Sequence, residues 1–197
     1  MAKLYFRYGA MNGGKTTILL LAAHNYEEQG MHVFLVKPSI DSKGDDKLVS
    51  RLGISRKVDY VCSPEDNLFD VIKTNHEAQK ISCVLADEAQ FFTPDQADQL
   101  MKVTVKLRIP VICYGLRTDF LGNGFAGSTR LLQIAHTIEE IKTICRCGKK
   151  AIYNARIING HFVFSGSQVA IDGTDNVSYE SLCADCYFRE RELADID

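Results

Sequence analysis

The stretch Gly9-Ala10-Met11-Asn12-Gly13-Gly14-Lys15-Thr16 constrains the fold of this chain more than any other, because it fits the phosphate-loop pattern G-x-x-x-x-G-K-[ST]. That pattern has physical meaning only between a strand and a helix. There, glycine backbone approaches phosphates closely, with N–H groups pointing inward and the positive end of the helix behind them. The context is present: Lys3 to Tyr8 reads as a strand and Thr17 to Ala23 as a buried helix. In such a loop Lys15 bridges the β- and γ-phosphates and Thr16 offers its hydroxyl to Mg²⁺, so the sequence predicts binding of a nucleoside triphosphate.

With 197 residues, 46% of them hydrophobic, the chain can bury one full α/β core and a small appendage, but not two large domains. Lys and Arg total 23 against 25 acidic residues, a formal charge of -2, which gives no global attraction to nucleic acid or an anionic membrane. The expected partners are small molecules or copies of the chain. No charged n-region followed by an apolar h-region opens the sequence, and no apolar run approaches a membrane span, so the expected location is the cytoplasm.

The first helix should run to about Gln29, with Gly30 placed to stop it, and His32 to Lys37 reads as a second strand closed by Pro38. From Ser39 to Lys57 charges crowd in, which suits a solvated loop or a lid. Asn67 to Ile72 starts a helix; Ile81 to Ala86 is an apolar strand of the kind covered on both faces. Thr93-Pro94-Asp95-Gln96 supplies an N-cap, proline at N1 and glutamine at N3, a second helix start, and Pro110 to Tyr114 is the next buried strand. Strands alternating with helices around one phosphate loop predict an α/β fold with a doubly wound, mainly parallel sheet. Beyond Ile144 the character changes. Ala151 to Ile158 and Phe162 to Phe164 read as a hairpin about Asn159-Gly160, whose residues suit a type I′ turn. The expected organisation is a nucleotide-binding domain over residues 1–144 and a small metal-pinned domain over 145–197, ending in an acidic, fraying helix.

Asp87 closes the buried strand and Glu88 follows it. Carboxylates end many strands simply because the chain has reached solvent. Four apolar residues before Asp87, in a chain with a phosphate loop, favour a role in holding Mg²⁺. Glu88 beside a γ-phosphate could accept a proton from an alcohol or orient water for hydrolysis, and spacing alone does not choose between kinase and ATPase.

Cys62, Cys83 and Cys113 sit singly in strand-like runs, where Cys acts as a small hydrophobe. The remaining four form two close pairs, Cys145-Arg146-Cys147 and Cys183-Ala184-Asp185-Cys186, separated by the hairpin, which matches a tetrahedral Cys₄ zinc site. Four protein ligands leave no open position, so the metal is expected to be structural. The segment Ser165 to Ser178 between the pairs shows little helix or strand character and reads as a binding loop. Tyr179 could be a core aromatic or a substrate contact.

The phosphate loop, the segment Asp87-Glu88-Ala89-Gln90-Phe91-Phe92, the run Cys113-Tyr114-Gly115-Leu116-Arg117-Thr118-Asp119-Phe120 and the four cysteines in this order resemble the type II, or cellular-type, thymidine kinases over essentially the whole chain. The spelling Ile144-Cys145-Arg146-Cys147-Gly148 is most similar to a bacterial branch. The resemblance implies ATP- and Mg²⁺-dependent phosphorylation of the 5′-hydroxyl of thymidine, and of deoxyuridine, in nucleotide salvage. Carried over, it makes Glu88 the catalytic base. The nucleotide side becomes Gly9, Ala10, Met11, Asn12, Gly13, Gly14, Lys15, Thr16, Asp41, Asp87, Glu88, Ala89 and Gln90, with Mg²⁺ held through Thr16 and Asp87. It places Phe120 against the pyrimidine and Tyr179 near the sugar, and matches Val169, Ala170, Ile171, Asp172 and Gly173 to a lasso loop whose backbone reads the base edge. It also implies a homotetramer inhibited by thymidine triphosphate. Two features depart from the family pattern: one residue separates Cys145 from Cys147 where many relatives have two, and the stretch from Ile171 to Tyr179 is longer. The different-class alternative is a zinc-ribbon phosphate-loop ATPase with a regulatory or nucleic-acid-remodelling role.

Overall fold

The computed structural model describes residues 1–40, 46–168 and 176–194. Strand β1 (Leu4–Tyr8) runs into the phosphate loop, and α1 (Lys15–Glu28) starts directly behind it. Gly14 caps the helix at φ +77°, a left-handed conformation that glycine takes without the Cβ penalty. The helix stops as expected. Gly30 N–H donates to Glu27 O and Met31 N–H to Tyr26 O, the Schellman pattern.

After β2 (Val33–Pro38), β3 (Lys47–Val49) pairs antiparallel with β4 (Ser55–Lys57). The stretch from Ser39 to Lys57, expected as a solvated loop or a lid, thus contains a short hairpin. The charged residues of the hairpin hide a buried apolar side chain, Leu48, which packs with Val58 against Leu19, Leu20, Val33 and Leu35. Residues 41–45, including Asp41, lie outside the described residues.

Then come β5 (Tyr60–Cys62), α2 (Leu68–Ala78), β6 (Cys83–Ala86) and a 3₁₀ turn at Ala89–Phe91. The expected capping box starts α3 (Pro94–Lys102): Thr93 Oγ1 accepts from Gln96 N, and Gln96 Oε1 accepts from Thr93 N, each at 3.1 Å. A π turn at Val103–Leu107 leads to β7 (Val111–Gly115), α4 (Ala126–Ile134) and β8 (Thr137–Glu140).

Six strands form one sheet in the order β5-β2-β6-β7-β1-β8, every neighbouring pair parallel. Alternate side chains of β2 serve opposite cores. Phe34 and Val36 join the apolar faces of α2, α3 and α4, while Val33 and Leu35 join α1. Coverage of both faces explains why the central strands are continuously apolar rather than alternating. The lone cysteines belong to these cores. Burial pushes the Cys62 and Cys83 thiols up to about 12 and Cys113 further, so all three stay neutral.

The last part of the chain builds a second, smaller layer. β9 (Thr143–Ile144) and β10 (Lys150–Ala151) pair antiparallel around the first cysteine pair. β11 (Tyr153–Ile158) and β12 (His161–Val163) form the expected hairpin, with φ of 51° at Asn159 and 85° at Gly160. β13 (Val177–Leu182) pairs with the other side of β11 and leads to α5 (Ala184–Ala194). The expected loop Ser165–Ser178 is therefore corrected at its end: Val177 and Ser178 belong to a strand that also carries Tyr179. Ala151, Ala155, Leu182 and Tyr187 form a separate core, with Tyr153 stacked on Tyr187 at 4.4 Å between ring centroids.

Candidate active site

In a parallel sheet, the strands' C-terminal ends present loops and helix starts on one side, where ligands bind. Here the ends of β1 and β6 bring the phosphate loop beside Asp87 and Glu88. The Thr16 hydroxyl donates to Asp87 Oδ2 at 2.9 Å. Asp87 is 2% exposed, and its Oδ1 is buried with no hydrogen-bond partner among the described residues. Burial and then the nearby Glu88 push the Asp87 carboxyl up to about 7. A buried carboxylate oxygen left open beside a hydroxyl is a donor set that suits a hard, oxygen-seeking cation such as Mg²⁺.

Lys15 is buried in the loop, its Nζ donating to Ala10 O at 2.9 Å and Gly9 O at 3.5 Å. Burial lowers its pKa, Glu88 and Asp87 oppose that shift, and Arg51, on the turn between β3 and β4, adds to it. A second cation, on the β3–β4 turn, thus acts on Lys15 electrostatically.

Glu88 has left-handed backbone (φ 47°, ψ 38°), uncommon for a residue with a side chain and typical of functional turns. Gln90 explains how its carboxylate is aimed. Gln90 Nε2 donates to Glu88 Oε2 at 2.5 Å, while its Oε1 accepts from Leu116 N at 2.9 Å. The turn lies so close to β7 that a Cβ on Gly115 would fall 2.8 Å from Gln90 Oε1.

On the loop after β7, Phe120 is buried, its carbonyl accepting from Tyr187 OH at 2.6 Å. The Arg156 guanidinium lies 3.7 Å from the Phe120 ring centroid and 5.6 Å from that of Tyr179, and its Nε donates to Tyr179 OH at 3.1 Å. Arg156 also holds Gln168 O at 3.1 Å, and Gln168 Nε2 reaches Asp119 Oδ2 at 3.0 Å. The structure thus brings Phe120 and Tyr179 together about one arginine. Val169, Ala170, Ile171, Asp172 and Gly173 lie outside the described residues.

At the far side of the smaller sheet, the Sγ atoms of Cys145, Cys147, Cys183 and Cys186 lie within 4.8 Å of one another. Tetrahedral zinc with Zn–S bonds of about 2.3 Å needs sulfur separations of about 3.8 Å, so the cluster fits with small adjustments. Gly148 takes φ +86° and donates its N–H to Cys145 O, turning the C-x-C pair inward.

A family model described as "Thymidine kinase" matches residues 2–187. The chain belongs to the thymidine kinase family. The thymidine kinase of Shewanella oneidensis is 47% identical over 192 residues, covering 96% of this chain and 98% of that one. Those of Aliivibrio fischeri and Francisella tularensis subsp. tularensis (strain SCHU S4 / Schu 4) are 48% and 44% identical, each covering 93% of this chain and 95% of the relative. Among solved structures, a Pif1 helicase from Candida albicans matches at 17% identity with a TM-score of 0.40, over 74% of this chain and 37% of that one, a likeness too weak to bear on fold or function.

In this thymidine kinase family member, sequence reasoning missed Arg156, Arg51 and the polar residues Asn154 and Ser181. A signal for the first existed. Asn154 and Arg156 alternate along β11 with Tyr153 and Ala155, which enter the small core, so a period of two should have put the polar pair on the opposite face.

Proposed function

We propose that the protein transfers the γ-phosphoryl group of ATP to the 5′-hydroxyl of thymidine, and of deoxyuridine, in nucleoside salvage. The observation that carries this reading is the Glu88 carboxylate, held by Gln90 beside the buried Thr16–Asp87 pair of the phosphate loop. Glu88 accepts the proton of the nucleoside hydroxyl as its oxygen forms the bond to the γ-phosphorus; the bond from that phosphorus to the β-bridging oxygen breaks, and ADP leaves. Thr16 and Asp87 would hold Mg²⁺, which neutralises phosphate charge when bound. Lys15 exchanges its contacts with the Ala10 and Gly9 carbonyls for phosphate oxygens. The base lies against Phe120, with Tyr179 near the sugar and the backbone of 169–173 reading the base edge; Asp41 adds to the nucleotide side. The four cysteines bind structural zinc, and we assign residues 1–144 and 145–197 to two domains.

No helix of the described residues is long and apolar enough to cross a membrane, and the proposed setting is the cytoplasm, as a homotetramer inhibited by thymidine triphosphate. An enzyme-linked assay of ADP formation across the four natural deoxynucleosides tests the reading. Turnover with thymidine far above that with deoxycytidine, deoxyadenosine or deoxyguanosine is expected. Nucleoside-independent turnover stimulated by DNA or RNA would replace it with a nucleic-acid-remodelling ATPase.

A further inference from the structure

Two cross-strand pairs on one face of the smaller sheet grip the two halves of the site. In the antiparallel register of β11 and β13, Asn154 stands opposite Ser181 and Arg156 opposite Tyr179. In the second pair Arg156 packs on Phe120 and Tyr179 holds Arg156, as described above. The first pair takes hold of the phosphate loop at one residue, Met11. Its N–H donates to Asn154 Oδ1 at 2.7 Å, and its carbonyl accepts from the Ser181 hydroxyl. Both main-chain polar groups of Met11 are thus held by side chains about 140 to 170 positions later in the chain. Asn154 and Ser181 are themselves buried, at 3% and 6% exposed.

Asn154 does more than grip. Its Nδ2 donates to Thr118 O at 3.0 Å, two residues before Phe120, so one amide bridges the phosphate loop and the loop that carries the pocket aromatic. A third link runs from Asn12 Nδ2 to Tyr179 O at 3.4 Å. Two residues along a strand span about 7 Å, so the rigid sheet sets the offset between the Met11 grip and the Phe120 grip. In-line transfer is sensitive to such an offset, because misplacing the reacting atoms by about 1 Å can cost 10²-fold in rate.

We propose that Asn154 and Ser181 are positioning residues for phosphoryl transfer: they register the phosphate loop against the nucleoside-side loop by fixing the Met11 peptide. The inference rests on the transfer reading above, but its structural half stands apart from it. With neither side chain at Met11, each loop keeps its own ligand contacts and loses only its alignment to the other.

The test compares Ser181→Ala, Asn154→Ala and Asn154→Asp with the parent protein in thymidine-dependent turnover, zinc content, melting temperature and hydrogen exchange of the Met11 amide. Asn154→Asp keeps an acceptor for Met11 N–H and loses the donor to Thr118 O; Ser181→Ala frees only the Met11 carbonyl. Each should lower kcat about tenfold or more while both KM values stay within about threefold and zinc content is unchanged. Met11 exchange should accelerate in Asn154→Ala and stay slow in Asn154→Asp. A kcat within twofold of the parent in Ser181→Ala and Asn154→Asp, at full zinc content, overturns the proposal. So does a rise in KM alone, or a Met11 amide equally protected without Asn154. Should the parent protein not phosphorylate thymidine, the transfer reading falls, and the exchange experiment still decides whether Asn154 holds Met11.

Discussion

The Arg156 guanidinium lies over the Phe120 ring, 3.7 Å from its centroid, although Arg156 is only 3% exposed and no carboxylate partners it among the described residues. A buried cation needs compensation, and here it comes from two aromatic faces, the Tyr179 hydroxyl and the Gln168 carbonyl. That arrangement fixes the buried Phe120 ring from one side.

Arg156→Ala should therefore raise the thymidine KM about tenfold, with a smaller change in the ATP KM, since it loosens the ring rather than the phosphate loop. Arg156→Lys should recover little, because an ammonium cannot stack or fork its hydrogen bonds. Steady-state kinetics with each substrate varied in turn checks both statements.

Arg51 provides a second charge test. It sits on a turn that the sequence presents only as part of a charged stretch, yet its field reaches Lys15. Arg51→Ala should raise the ATP KM several-fold and leave the thymidine KM nearly unchanged, with the effect shrinking at high ionic strength as screening grows.

The Asp87 carboxyl, at about 7 in the metal-free protein against an ordinary 3.8, gives a pH dependence of definite sign. Because the folded value exceeds the unfolded one, its contribution to stability is present below about pH 4 and is lost as pH rises to 7 and above. Added Mg²⁺ should offset that loss. The Mg²⁺-induced rise in melting temperature is expected to be larger at pH 8 than at pH 6, and to shrink in Asp87→Asn at pH 8. Scanning calorimetry at the two pH values with and without Mg²⁺ measures it.

Gentle, chelator-free purification should yield close to one zinc per chain. Cys183→Ser should lower that figure and disorder β11, β13 and α5 more than the six-stranded sheet, because metal binding there is linked to local folding. Metal analysis and hydrogen exchange of the two regions report both outcomes, and zinc near zero in the parent protein would leave the four thiols without this role.

What was legible in the sequence follows a physical pattern. The phosphate loop, the buried strands and the Thr93 capping box are local signals, complete within a few residues, and the structure holds them where they were expected. Helix α4 escaped notice because Gly127, Ser128 and Thr129 weaken its propensity. Its Gly127 is needed for contact: a Cβ there would lie 2.4 Å from Phe92 O. Edge strand β8, with Glu139 and Glu140, carries too few apolar residues to stand out. Arg156, Asn154 and Ser181 were hidden for another reason. Their partners Phe120 and Met11 are distant in sequence, and only the pairing of β11 with β13 makes one face of them.

The most direct test of the account is the single-turnover rate of Glu88→Gln with saturating ATP and thymidine. The substitution keeps size and the contact to Gln90 while removing the proton acceptor. The account predicts a fall in the transfer rate of about 10²–10⁴-fold with ATP affinity nearly unchanged. A rate equal to that of the parent protein would contradict it.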